Sequence, residues 1–166
     1  SDFGLVAIVM VVMNLSQVLS GLGMANYLVY RQKITATLNA TVFWISSLSG
    51  SMLFILITLL SPLVADLYGE SEVAYLLSLS AITFIPTSLT SQIQARYICD
   101  FKLNELVKFD IISKFVGVSV AVCAAYIGLA AESIIWGAVV TALVKSFLIW
   151  VYAENSWKPK FLFSVA

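Results

Sequence analysis

The sequence contains no histidine, and charged residues make up only 11% of its 166 positions. The absence of His removes the commonest metal ligand and the commonest general base. The two cysteines, Cys99 and Cys123, cannot build a disulfide framework. One falls in a polar connection and the other inside an apolar run. Zinc takes about four ligands, which this composition does not offer. We therefore expect no metal, no cofactor and no catalytic residue. Nine basic residues balance nine acidic ones, with no basic tail, so a nucleic-acid partner has no electrostatic footing. The chain opens SDFGLVAIV, without an initiator Met or a basic n-region. It does not have the form of a signal peptide. The expectation is a chain entered in the middle of a larger protein.

What is present is apolar. Hydrophobic residues make up 61% of the chain and mean hydropathy is +0.99. A soluble domain is about half apolar and about a quarter charged. This chain lies outside that range on both counts, which makes it a membrane protein. A helix needs about 20 apolar residues to cross about 30 Å of hydrocarbon. Runs of that kind predict five spans, at 5–28, 42–65, 73–95, 109–127 and 134–152. A β-barrel would show alternating segments of about ten residues. These runs are continuous, so the fold class is all-α: a bundle of about five transmembrane helices.

The loops between the runs set an orientation. Basic residues number two in 31–33, none in 66–72, three in 96–108, none in 128–133 and two in 154–160. Short cytoplasmic loops are the Lys- and Arg-rich ones. The first, third and fifth loops are thus expected inside, and the amino end outside. Residues 94–114 concentrate seven of the eighteen charges and read as the polar connection between two groups of helices. Tyr68-Gly-Glu should turn the chain after the second span, and Gly128 should end the fourth. Pro86 should kink the third span.

Lipid is as apolar as Leu, so helices associate in membranes through small residues and hydrogen bonds. Ser113, Gly117, Ala121 and Ala125 recur every four residues in the fourth span. Ala138 and Ala142 do so in the fifth. Ser46, Ser47, Ser49, Gly50 and Ser51 cluster in the second. These stripes predict a compact bundle and say nothing of substrate. Asn14, Gln17 and Gly21 share a face of the first span. Thr83, Thr87, Thr90 and Gln94 share one on the third. Polar faces at membrane depth line either a helix contact or an aqueous cavity.

Two lysines stand out. Lys114 has Asp110 one turn earlier, the favourable order for a helical ion pair. Lys145 lies about 10 Å from the inner end of the fifth span at 1.5 Å per residue. No acidic residue stands three or four positions from it. It shares a side with Ala138 and Ala142, so the pattern predicts an unpaired lysine pointing into the bundle. A charge there costs at least about 2.5 kcal/mol on insertion. That residue is the natural cation for an anionic head group.

Three stretches carry a resemblance. They are DFGLVAIVMVVMNLSQVLSGLGMANYLVYRQK, TVFWISSLSGSMLFILITLLSPLVADLYGESEV and QARYICDFKLNELVKFDIIS. With the DFG opening, Gly21, Gly23, Gln32 and Lys33, the LYGE loop and the closing WKPKFLFS, the chain resembles bacterial polysaccharide flippases of the Wzx type. These sit within the superfamily of multidrug and polysaccharide exporters. The resemblance covers nearly the whole chain. It implies a transporter of two lobes of six helices, of which this chain would be helices two to six of the first lobe. The first helix and the second lobe would be absent. It also implies translocation of an undecaprenyl-pyrophosphate-linked oligosaccharide across the bacterial inner membrane by alternating access. Partners would be that substrate, membrane lipids and the remaining helices of the full-length protein. A cationic central cavity is implied, for which Lys145, Lys114 and Arg96 are the candidates. Asn14, Gln17, Thr83, Thr87 and Gln94 would meet the sugars.

Other classes fare worse. A cation-coupled small-molecule exporter of the same superfamily would carry a buried carboxylate, and the acids here lie in loops or near span ends. A membrane glycosyl or acyl transferase would need an acid, base or metal site, and only Asp66, Glu70 and Glu72 gather at one surface. A small assembly protein would be complete at this length.

Overall fold

The structure, a computed structural model, describes residues 36–153 together with 4, 10, 11 and 14. Helices account for nearly all of the described residues, with no strand among them. In chain order they are α1 (Ala36–Tyr68), α2 (Ser71–Ala81), α3 (Phe84–Cys99), α4 (Leu103–Tyr126) and α5 (Ala130–Tyr152). The predicted span 5–28 lies outside the described residues, apart from Met10, Val11 and Asn14, which are helical and exposed.

Three segments are long and apolar enough to cross a membrane: Ala40–Tyr68, Glu72–Cys99 and Glu132–Tyr152. They contain the predicted spans 42–65, 73–95 and 134–152. The fourth predicted span, 109–127, overlaps α4, which ends at Tyr126 and whose 24 residues reach about 36 Å; α4 is not among the three segments.

The distribution of side chains is inverted relative to a soluble protein. Leu67 is 80% exposed and Leu48 is 72% exposed, whereas Gln92 and Ser113 are fully buried. On α1 the buried positions Phe43, Gly50 and Ile57 recur every seven residues, and Ile57, Ser61 and Ala65 every four. That stripe faces the bundle, and leucines occupy the opposite side. Only an apolar solvent rewards this arrangement.

The helices lie in the order α1, then α2 with α3, then α5, then α4. Two apolar clusters hold them. One joins Ile57 of α1, Leu76 and Leu77 of α2, Phe84 of α3 and Ile135 and Val139 of α5. The other, at the opposite end, joins Ile93 and Tyr97 of α3, Phe109 of α4 and Ile149 of α5.

Both in-span prolines explain local geometry. Proline lacks an N–H and its ring crowds the carbonyl four residues earlier. For Pro62 that carbonyl is Thr58 O, and Ser61 Oγ donates to it at 2.9 Å. The hydroxyl replaces the lost donor and α1 continues through Pro62. For Pro86 the carbonyl is Ile82 O, which accepts instead from Ile85 N–H at 3.3 Å. Here the helix breaks at 82–83. The expected kink is thus a full interruption, displaced from Pro86 to the carbonyl it blocks.

Three helix ends close alike. Glu70 N–H donates to Ala65 O, Lys102 N–H to Tyr97 O and Leu129 N–H to Ala124 O, each five residues back. The residue before each donor has positive φ: Gly69 at 70°, Phe101 at 56° and Gly128 at 95°. This is the left-handed cap for which glycine is favoured. The turns expected at Gly69 and Gly128 are there. Phe101 fills the same role without being glycine, which the sequence did not disclose. It reduces the polar connection of 94–114 to a tight turn between two helices.

Candidate functional site

The α4–α5 contact builds the charged centre. Gly137, Thr141 and Lys145 recur every four residues along one side of α5. A Cβ placed on Gly117 of α4 would lie 2.6 Å from Gly137 O and run into the Thr141 hydroxyl. A Cβ on Gly137 would lie 2.8 Å from Ala121 Cβ and 2.9 Å from Gly117 O. The backbones therefore touch at this level. Ser113, Gly117 and Ala121 belong to the stripe expected on α4, while Ala125 is exposed. On α5 the expected face is corrected by one position. Ala138 is exposed, and Gly137 and Thr141 make the contact. Glycine offers the closest approach, which the alanine spacing concealed.

One turn past Thr141 the same stripe delivers Lys145. Its Nζ donates to Asp110 Oδ1 at 2.9 Å. Lys114 Nζ lies 2.7 Å from Asp110 Oδ2. The two side chains of the interhelical pair are about one-third exposed, and Lys114 is two-thirds exposed. The pair of Lys114 with Asp110 is as expected. The isolation of Lys145 is not. Its partner is 35 residues away on another helix, out of reach of any count along one helix. Lys145 does point into the bundle. Two lysines share one carboxylate, which leaves the cluster with a net charge of +1.

The hydroxyl face of α3 looks inward to its own backbone. Thr83 Oγ1 donates to Ser80 O, Thr87 Oγ1 to Thr83 O and Thr90 Oγ1 to Pro86 O. Gln94 Nε2 reaches Thr90 Oγ1 at 3.5 Å. Thr83 is buried, Gln94 half-buried and Thr87 exposed. Ser146 of α5 donates to Pro86 O at 3.1 Å, tying α5 to the interrupted helix. Arg96 is half-buried, two turns beyond Ser88, and it does not join the lysine cluster. Of the first-span candidates, Asn14 is helical and exposed, and Gln17 lies outside the described residues.

Sequence reasoning missed Gln92. Its side chain is fully buried, and neither amide atom has a hydrogen-bond partner among the described residues. Arg96 Nε, one turn later, is likewise buried without a partner. Opposite-running α1 and α3 meet at Gly50 and Ser88, and α1 and α2 meet where Ser61 and Ser78 hydroxyls lie 3.1 Å apart. The same register carries Gln92 to the level of Ser46 and Ser47. A serine cluster opposite a glutamine was visible in the sequence, but the pairing of helices was not.

A second feature lies at the α3–α4 turn. A groove of about 500 Å³ opens between the ends of α3, α4 and α5. Tyr97, Phe109 and Tyr152 wall it: the Tyr97 and Phe109 rings meet edge-on at 5.9 Å, and Phe109 stacks on Tyr152 at 5.4 Å. Lys102, Glu105 and Lys108 line the same groove. No group of His, Cys, Asp and Glu suited to a metal occurs among the described residues.

The family model described as "Polysaccharide biosynthesis protein" matches residues 1–166. The chain belongs to this family. Among its relatives, the teichuronic acid biosynthesis protein TuaB of Bacillus subtilis is 26% identical over 90% of this chain and 31% of its own length. The lipopolysaccharide biosynthesis protein WzxC of Escherichia coli is 24% identical over 99% of this chain and 34% of its own. The succinoglycan biosynthesis transport protein ExoT of Rhizobium meliloti is 27% identical over 99% and 33%. The chain thus spans about a third of the length of these family members. No solved structure gives a significant match. With three segments long and apolar enough to cross a membrane, the chain is a membrane-protein member of this polysaccharide biosynthesis family.

Proposed function

We propose that the full-length protein is a flippase, not an enzyme. It carries an undecaprenyl-pyrophosphate-linked oligosaccharide across the bacterial inner membrane by alternating access. The observation that carries this reading is the family match along the entire chain. The geometry adds a reason of its own. A pyrophosphate is an anion that must enter an apolar slab, and a cationic group held inside the bundle lowers that barrier. The Lys114–Asp110–Lys145 cluster keeps one positive charge beyond its internal pairing. Its carboxylate fixes both ammonium groups while an anion is absent. The basic loops support a cytoplasmic position for this end of the bundle, where the lipid-linked substrate would be met first.

The test is complementation of a flippase-deficient strain with the full-length gene. Wild type should restore surface polysaccharide. The double substitution Lys114→Gln with Lys145→Gln should reach the membrane at wild-type level and restore little. Failure of the wild-type gene would overturn the flippase reading. Full restoration by the double variant would overturn the role of the cluster alone.

A further inference from the structure

We propose that the groove between Lys102 and Tyr152 is a binding site for an anionic phospholipid of the surrounding bilayer, distinct from the Lys114–Asp110–Lys145 cluster. Along α4, Glu105, Lys108, Phe109 and Ile112 fall at i, i+3, i+4 and i+7, which is one face of a helix. All four line the groove. The face changes character along its length. Its first turn is charged, with Lys102 beside it, and its next turn is apolar, facing Leu148 and Tyr152 of α5. The distance from Glu105 to Ile112 is about 10 Å at 1.5 Å per residue. A head group at one end and the start of an acyl chain at the other fit that gradient. A small soluble anion would use only the charged turn and leave the aromatic wall idle.

The depth agrees. Tyr97 is two residues from the end of α3, and Tyr152 is the last residue of α5. Both helices belong to segments long and apolar enough to cross a membrane. The groove thus sits where the hydrocarbon gives way to head groups, the level at which Tyr residues gather. Lysine stems lie along apolar surface and put their ammonium groups at that level. Basic pockets between transmembrane helices are a recurrent form of lipid head-group recognition. The local backbone supports it. The left-handed turn at Phe101 sends Lys102 N–H back to Tyr97 O at 2.9 Å, which sets the first lysine beside the aromatic wall. Two lysines and one glutamate line the charged end of the groove, and the exposed Lys108 ammonium is the cation a phosphodiester can reach.

The experiment is native mass spectrometry of the full-length protein with phosphatidylglycerol or phosphatidylcholine of identical acyl chains. Phosphatidylglycerol adducts should dominate. A lysine near the membrane surface is worth about fivefold in anionic-lipid binding. Lys108→Gln, an exposed side chain whose loss leaves the core intact, should therefore lower the preference about fivefold. Lys102→Gln combined with it should abolish the preference. Glu105→Gln should raise it by up to about fivefold, a gain that misfolding cannot produce. Equal adducts of the two lipids, or a preference indifferent to all three changes, would overturn the site. Millimolar inorganic phosphate that binds alone and displaces the lipid would overturn the lipid assignment. Adducts are counted on the resting protein, so the result is independent of the flippase reading.

Discussion

The pair between Lys145 and Asp110 is the interaction most open to a quantitative test. At 2.9 Å and an effective dielectric of about 20, one contact is worth about 6 kcal/mol before desolvation. Taking the two groups out of water removes most of that. Exposed pairs retain about 0.2–1 kcal/mol, and breaking a fully buried pair costs about 3–5 kcal/mol. Both side chains here are about one-third exposed. The coupling should fall between these limits, at about 1–2 kcal/mol. The assay is a double-mutant cycle on the full-length protein: Asp110→Asn, Lys145→Met and both, each followed by denaturant unfolding in mixed micelles. The cluster also predicts an order. Asp110→Asn strips the partner from both lysines. Lys145→Met leaves Asp110 paired with Lys114 at 2.7 Å. The aspartate change should be the costlier single step. Coupling below about 0.3 kcal/mol, the error of additivity, would refute the interhelical contact. The reverse order of the singles would refute the shared-carboxylate geometry.

Two further changes probe the helix end and the buried amide. Phe101→Gly should stabilise the protein by about 1 kcal/mol, because a left-handed conformation carries a cost of that size for a residue with a Cβ. A thermal-shift measurement that finds a loss would mean the exposed ring contributes more than its backbone costs. Gln92→Leu should also stabilise, by about 1–3 kcal/mol, by removing a buried amide that lacks a hydrogen-bond partner among the described residues. A loss of stability in the same unfolding assay would mean that the amide is bonded by a part of the protein beyond those residues.

The fold was legible in the sequence where the argument was about one dimension. Length and hydropathy marked 42–65, 73–95 and 134–152, each inside a segment long and apolar enough to cross a membrane; glycines marked two of the three helix turns, and Pro86 marked the third span's break to within one turn. The stripe through Ser113, Gly117 and Ala121 announced the α4 contact. Legibility failed where two segments had to be matched. Nothing along one helix tells Lys145 that Asp110 lies across from it. A similar gap hid Gly137 behind Ala138 and Ala142, since neighbouring positions on a helix point about 100° apart and only the partner decides which one is used. Phe101 escaped notice because the left-handed turn was sought at glycine. The hydroxyls at Thr83, Thr87 and Thr90 were read as one face; Thr83 and Thr90 are buried and Thr87 is exposed. Their partners proved to be the preceding carbonyls of their own chain, a use of threonine that composition does not separate from cavity lining.

The way polar groups are satisfied divides the bundle into parts that hold together and parts that can separate. The Thr87 and Thr90 hydroxyls of α3 are bonded to carbonyls of their own segment and Thr83 to Ser80 O just before the break, so these groups stay satisfied whether buried or bared. Between α4 and α5 the opposite holds. Backbone contact at Gly117 and Gly137 and the Lys145–Asp110 pair join two helices that could not part without orphaning a charge. The α1–α2 hairpin is fastened at Ser61 and Ser78, and α1 meets α3 closely at Gly50 and Ser88. Between these two groups one polar link runs from Ser146 to Pro86 O, a carbonyl that also accepts the Thr90 hydroxyl and so keeps a partner if the link opens. Beside it lie the apolar contacts of Leu76, Leu77 and Phe84 with Ile135 and Val139, which can slide at little cost in a membrane because lipid is an equivalent neighbour. The α4–α5 pair, joined by backbone contact and an ion pair, should therefore stay together when the hairpin group shifts against it.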